Sequence, residues 1–98
     1  MYQLIFHAEA TLDFAESMLW YESQQEGLSD RFKKAIDDTL SRIQDKPLLF
    51  PIVKSNFREA SVPIFPYTIV YRFNKLKSHI IIAAIYHAKR NPKMKYRK

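Results

Sequence analysis

The hydrophobic period of this chain changes once, and that change limits what it can fold into. From Ala8 the apolar residues recur at helical spacing through Leu12, Ala15 and Leu19. Phe14, Met18 and Tyr21 widen the stripe, while Glu9, Asp13, Glu16 and Glu22 fall on the wetter side. Phe32, Ile36, Leu40 and Ile43 repeat the helical pattern farther on. Past Phe57 the period drops to two, with Tyr67, Ile69, Tyr71 and Phe73 alternating with Thr68, Val70 and Arg72. Two helices therefore precede the main set of strands.

The breaks between elements are chemically marked. Gly27, the only glycine, sits where the first helix should stop, because a residue without a Cβ takes the left-handed C′ conformation without steric cost. Ser29 is suited to cap the second helix, and Pro47 to end it. Tyr2 to Phe6 has the aromatic and β-branched flavour of a first strand. Pro47 to Asn56 reads as a loop whose Leu48, Leu49, Phe50, Ile52 and Val53 are apolar enough to lie on the core. Phe57 to Val62, Tyr67 to Phe73 and Ile80 to Tyr86 read as strands. The last two are joined by the polar segment Asn74 to Ser78, and the final strand is apolar enough to be buried on both faces. The expected fold class is α+β, with order β-α-α-β-β-β and a helical hairpin packed on one face of a small, mainly antiparallel sheet.

At 98 residues, one domain spanning 1–98 is expected, with a basic tail from about residue 88. The chain has no cysteine, so no disulfide framework and no thiolate metal site is available to it. Its three histidines are scattered, and neither a metal nor a cofactor is expected. The start of the chain lacks the basic n-region and long apolar run of a secretory signal. The longest apolar run, Ile80 to Ile85, is far short of a membrane span. A cytoplasmic location without a membrane partner is the expectation.

Charge divides the chain more sharply than hydropathy does. Through Glu59 there are ten Asp/Glu against seven Lys/Arg, and after it nine Lys/Arg against none, which gives +6 overall. A one-sign field of this kind raises the local concentration of a polyanion and speeds its encounter. It does not identify which polyanion, and a solvated basic tail that only aids solubility is the plain alternative.

Several pieces of the chain, taken in order, resemble the RelE/ParE superfamily of toxins of type II toxin–antitoxin modules, also called plasmid stabilisation proteins. They are Leu19-Trp20-Tyr21-Glu22, Gly27-Leu28 with Phe32, Phe57-Arg58, Phe65-Pro66-Tyr67-Thr68-Ile69-Val70-Tyr71, and Tyr86-His87 with Arg90-Asn91-Pro92. Nearly the whole chain takes part. The resemblance implies the same β-α-α-β-β-β fold with a basic groove on the sheet side, and a cognate antitoxin that wraps the toxin. It also implies growth arrest by one of two routes, inhibition of DNA gyrase in the ParE-like branch or metal-independent, ribosome-dependent mRNA cleavage in the RelE-like branch. A non-toxic basic module that binds only antitoxin or nucleic acid is a third reading.

The resemblance puts a functional arginine at Arg58, where a guanidinium could hold a phosphate bidentately and stabilise its added charge. The alternative is an edge-strand arginine paired with Asp37 or Asp38. His87 is the most plausible general acid or base, able to exchange a proton with a ribose hydroxyl, unless it is a strand-end histidine with a backbone partner. Arg90, Lys89 and Lys93 would extend a phosphate clamp. Tyr86 or Tyr96 could stack on a base, and Lys54 could join the same groove. Pro47 to Phe57 contains no carboxylate to act as base, and Glu59 points opposite to Arg58 in a regular strand. The Trp20-Tyr21-Glu22 and Gly27-Leu28 signatures look more like the gyrase-directed branch, although Trp20 itself reads as core.

Overall fold

The computed structural model describes residues 2–88. Along them run β1 (Gln3–Phe6), α1 (Ala8–Gln24), α2 (Leu28–Asp45), β2 (Ile52–Lys54), β3 (Phe57–Ser61), β4 (Tyr67–Asn74) and β5 (His79–His87). They form a five-stranded sheet of order β1-β5-β4-β3-β2, in which β1 pairs parallel to β5 and the other neighbours are antiparallel. The α+β expectation holds, with one strand more than the sequence suggested: Ile52–Lys54, inside the segment expected to be a loop, pairs with β3 as a short, exposed edge strand.

The helical hairpin is clamped by a carboxylate. Gly27 adopts φ +84, but it stands at the N-cap of α2, while α1 ends earlier on an extended Gln25. Ser29 does not cap α2. Instead Glu22, from α1, accepts from the Gly27 and Ser29 backbone N–H groups and from the Ser29 hydroxyl. These bonds satisfy N–H groups that the first turn of α2 would otherwise leave open, and they hold the Glu22 carboxyl below its ordinary range, the Ser29 hydroxyl contributing most. α2 ends at Asp45, ahead of Pro47.

α2 buries the stripe its sequence displays, Phe32, Ile36, Leu40 and Ile43. α1 does not. Its buried positions are Ala10, Asp13, Ser17 and Tyr21, flanked by the half-buried Phe14 and Met18, whereas Ala8, Leu12, Ala15 and Leu19 are exposed. The two polar groups on the inner face are used. Asp13 Oδ2 accepts from the Ile85 N–H at 3.3 Å, at a place where β5 has run past the end of β1. The Ser17 hydroxyl donates to the Asp13 carbonyl at 2.8 Å and accepts from the Tyr67 hydroxyl at 2.9 Å.

A β-bulge sets the faces of β5. Val70 pairs with Ala84 and Tyr71 with Ile82, so Ala83 is the extra residue. Ahead of the bulge Ile80 and Ile82 join the core under the helices; after it Ile85 does, and Ala83, Ala84 and Tyr86 fall into a second cluster with Phe57 and Val70 on the opposite face. β4 and β5 are thus buried on both sides through their middles, which for β4 exceeds the half-burial its alternation suggested. Among the described residues three non-glycine residues take positive φ: Ser55 and Ser78 in the β2–β3 and β4–β5 turns, where they do glycine's work, and Ile64 at φ 74 in the β3–β4 connection.

Candidate functional site

Arg58 lies on β3 opposite Tyr71, whose side chain belongs to the core beneath the helices. It is half-buried, and it points to that side. One guanidinium nitrogen donates to the Phe50 carbonyl at 2.6 Å and, at a weaker 3.4 Å, to the Leu48 carbonyl. The Tyr71 hydroxyl donates to the Pro47 carbonyl at 2.6 Å. Phe50 packs edge-on against Tyr71, with the Arg42 guanidinium 5.7 Å from its ring centre. Arg58 and Tyr71 therefore fix the connector between α2 and β2 by its carbonyls. Asp37 and Asp38, considered as partners for Arg58, pair instead with Lys33 and Lys34 one turn earlier. Burial pushes the Tyr71 phenol up to about 12, against the downward pull of the Arg58 charge.

His87 pairs with Tyr67 at the far end of β4, and its ring stands edge-on to that tyrosine with centres 5.0 Å apart. Because of the bulge it faces the helices, where Tyr67 bonds to Ser17 of α1. Arg58 and His87 are separated by two strand spacings and four residues of β4, about 16 Å between backbones by standard sheet dimensions. Arg58 is bonded to the Phe50 carbonyl and His87 stands against Tyr67, so the two side chains are engaged at different places.

The face away from the helices carries a different set. By register, Lys54 pairs with Phe57 and Tyr86 with Thr68, and Glu59 lies on this side with them. Arg72 shares the face: its guanidinium lies 5.7 Å from the Phe57 ring centre, and its Nε is buried without an acceptor among the described residues. Sequence reasoning had not singled out Arg72, although the β4 alternation that turns Tyr71 inward turns Arg72 outward. Lys54 and Tyr86 thus share a face, with Arg58 and His87 on the other. Lys89, Arg90, Lys93 and Tyr96 lie outside the described residues.

The outer side of α1 carries exposed apolar residues. Leu12 is 54% exposed, Leu19 75% and Trp20 56%, so Trp20 is not core. An apolar recess of about 230 Å³ opens where Phe6, Ala10, Phe14, Ile36, Leu40 and Ile85 meet, and it includes none of the candidate site residues. No helix among the described residues is long and apolar enough to cross a membrane.

A family model described as the ParE toxin of the type II toxin–antitoxin system, parDE, matches residues 4–92. Among curated proteins no sequence matches the chain. Three solved structures share its fold at low sequence identity. The intact E. coli RelBE toxin–antitoxin complex contains a chain with TM-score 0.70 and 14% identity, over 92% of this chain and 100% of that one. The chromosomal ParDE system from P. aeruginosa gives TM-score 0.67 and 16% identity over 91% and 98%. The isolated E. coli RelE toxin gives TM-score 0.69 and 14% identity over 93% and 88%.

Proposed function

Since the chain belongs to the ParE toxin family of type II toxin–antitoxin systems, we propose that it arrests growth by inhibiting DNA gyrase and that a cognate antitoxin holds it silent. The observation that carries this reading is the separation of Arg58 from His87. A ribonuclease needs a proton-transfer group and a phosphate-stabilising cation on the same few atoms. Here both face the helices, Arg58 opposite the middle of β4 and His87 opposite its first residue, each against the protein's own groups. Likeness of fold does not decide between the branches, because the RelE and ParE structures match about equally well.

In this reading Arg58 and His87 hold the scaffold, and the sheet face with Lys54, Arg72 and Tyr86 is the surface for anionic partners, to which the sequence adds Lys89, Arg90, Lys93 and Tyr96 outside the described residues. The antitoxin would cover it with an acidic, apolar segment that folds on binding. A gyrase target implies action in the cytoplasm. The test is to induce the chain without antitoxin, follow the supercoiling of plasmid DNA and map the 5′ ends of cellular mRNA. Plasmid relaxation with intact mRNA is expected. New cuts inside translated codons would overturn the gyrase reading in favour of the ribosome-dependent endoribonuclease. Normal growth of cells containing folded protein would favour a non-toxic binding module.

A further inference from the structure

α1 is apolar on two opposite faces. Its inner face centres on Ala10, Ser17 and Tyr21. At 3.6 residues per turn, Ala8, Leu12, Ala15 and Leu19 lie about 160° around the helix from that centre, and all four are exposed. α2 has nothing comparable: its outer positions are Arg31, Lys33, Lys34, Asp37 and Asp38. A helix that is apolar on both sides belongs between two layers, and the described residues supply only one.

We propose that the outer stripe of α1 docks an amphipathic helix of a partner protein whose own apolar stripe is flanked by Lys or Arg. Two properties of the stripe select this occupant. Its order, Ala-Leu-Ala-Leu, leaves notches over Ala8 and Ala15 that accept leucine-sized side chains of a facing helix. The exposed charges that α1 itself brings to the stripe are acidic: Glu9 and Glu16 are exposed and α1 has no Lys or Arg, while Asp13 is turned inward, Glu22 is held in the hairpin, and Lys33 of α2, near Thr11, is paired with Asp37. Glu9 and Glu16 stand on the edge of the stripe where Trp20 also lies, so a cationic flank is drawn to it and an anionic one is repelled. A second copy fits less well, because antiparallel pairing of two α1 helices would bring Glu9 of one beside Glu16 of the other. An anionic lipid surface meets the same carboxylates. The sign is opposite to that proposed for the antitoxin segment on the sheet, so the two surfaces recruit different chemistry. The proposal stands apart from the gyrase reading, since its test reads binding and not growth.

Trp20 is the only tryptophan and borders the stripe, so its fluorescence reports occupancy directly. The probe is a synthetic, tryptophan-free helical peptide of about five turns with a Leu/Ala stripe flanked by lysines, compared with the same peptide flanked by glutamates. The lysine peptide should give a saturable blue shift, and the glutamate peptide should bind at least about tenfold more weakly. The Leu12→Gln/Leu19→Gln variant, altered only at exposed positions and checked by its melting temperature, should weaken the lysine peptide about tenfold or more. Glu9→Gln/Glu16→Gln should weaken it about threefold. The proposal is overturned if no saturable shift occurs, if both peptides bind alike, or if the leucine variant binds as the parent does. Self-association in sedimentation equilibrium that the leucine variant abolishes would overturn it in favour of a second copy.

Discussion

Replacing Arg58 by alanine tests whether this arginine is scaffold or chemistry. The guanidinium makes one short, partly buried bond to the Phe50 carbonyl at 2.6 Å and one marginal bond to the Leu48 carbonyl at 3.4 Å. A hydrogen bond from a charged donor contributes about 1.5–3 kcal/mol, and the longer contact adds little. The expected cost of Arg58→Ala is therefore about 2 kcal/mol, a fall in melting temperature of about 8–10 °C for a domain of this size. Arg58→Lys keeps a cation that reaches one carbonyl and should cost about half as much. The phenol of Tyr71 supplies an independent readout. Since the Arg58 charge lowers its pKa, removing that charge should move the ultraviolet titration of Tyr71 further up. Differential scanning calorimetry and the spectroscopic titration measure the two effects on the same samples. If Arg58→Ala melts with the parent and leaves the tyrosine titration unmoved, the structural role is wrong and the guanidinium is free for a phosphate.

Other outcomes follow from the same geometry. Burial raises the Tyr71 phenol from 10.0 to about 12, so the folded state keeps a proton that the unfolded state releases. Stability should fall by about 2–3 kcal/mol as pH rises from 10 to 12, and Tyr71→Phe should remove this loss while costing about 1–3 kcal/mol at neutral pH, because the Pro47 carbonyl loses its donor. The lowered Glu22 carboxyl works in the opposite direction: its contribution is present above the ordinary carboxylate value of 4.5 and is lost as pH falls through that value to the lowered one. Glu22→Gln should flatten that part of an acid-unfolding profile. Ile64→Asn should stabilise the fold by about 1 kcal/mol in urea unfolding, since Ile64 is 87% exposed at φ 74 and asparagine tolerates the left-handed region far better.

The sequence displayed its elements more clearly than their faces. The helices and the three longer strands announce themselves by period, and Gly27 marks the hairpin even though it serves α2 and not α1. The inner face of α1 was hidden because Asp13 and Ser17 look like solvent residues until Ile85 and Tyr67 are brought within bonding distance of them. β2 was hidden because three exposed residues between a proline and a turn carry no periodic signal. The candidate site suffered most from parity. Strict alternation separates Arg58 from Glu59 but does not say which of them meets the helices. A bulge at Ala83, invisible in a run of small and branched residues, then reverses Tyr86 and His87. Arg72 could have been found, since it is the one cation in an alternating strand whose other face is aromatic.

The parallel pairing of β1 with β5 governs when the protein can exist at all. Gln3 to Phe6 must wait for His79 to Ile82 before finding a neighbour, and α1 packs against the same late strand as well as against α2. A growing chain therefore carries its hairpin uncovered through most of synthesis, and the sheet closes only when the residues near the end of the described chain arrive. Contacts so distant in sequence form slowly. The folded domain is thus a late product of translation, complete only once β5 can pair with β1.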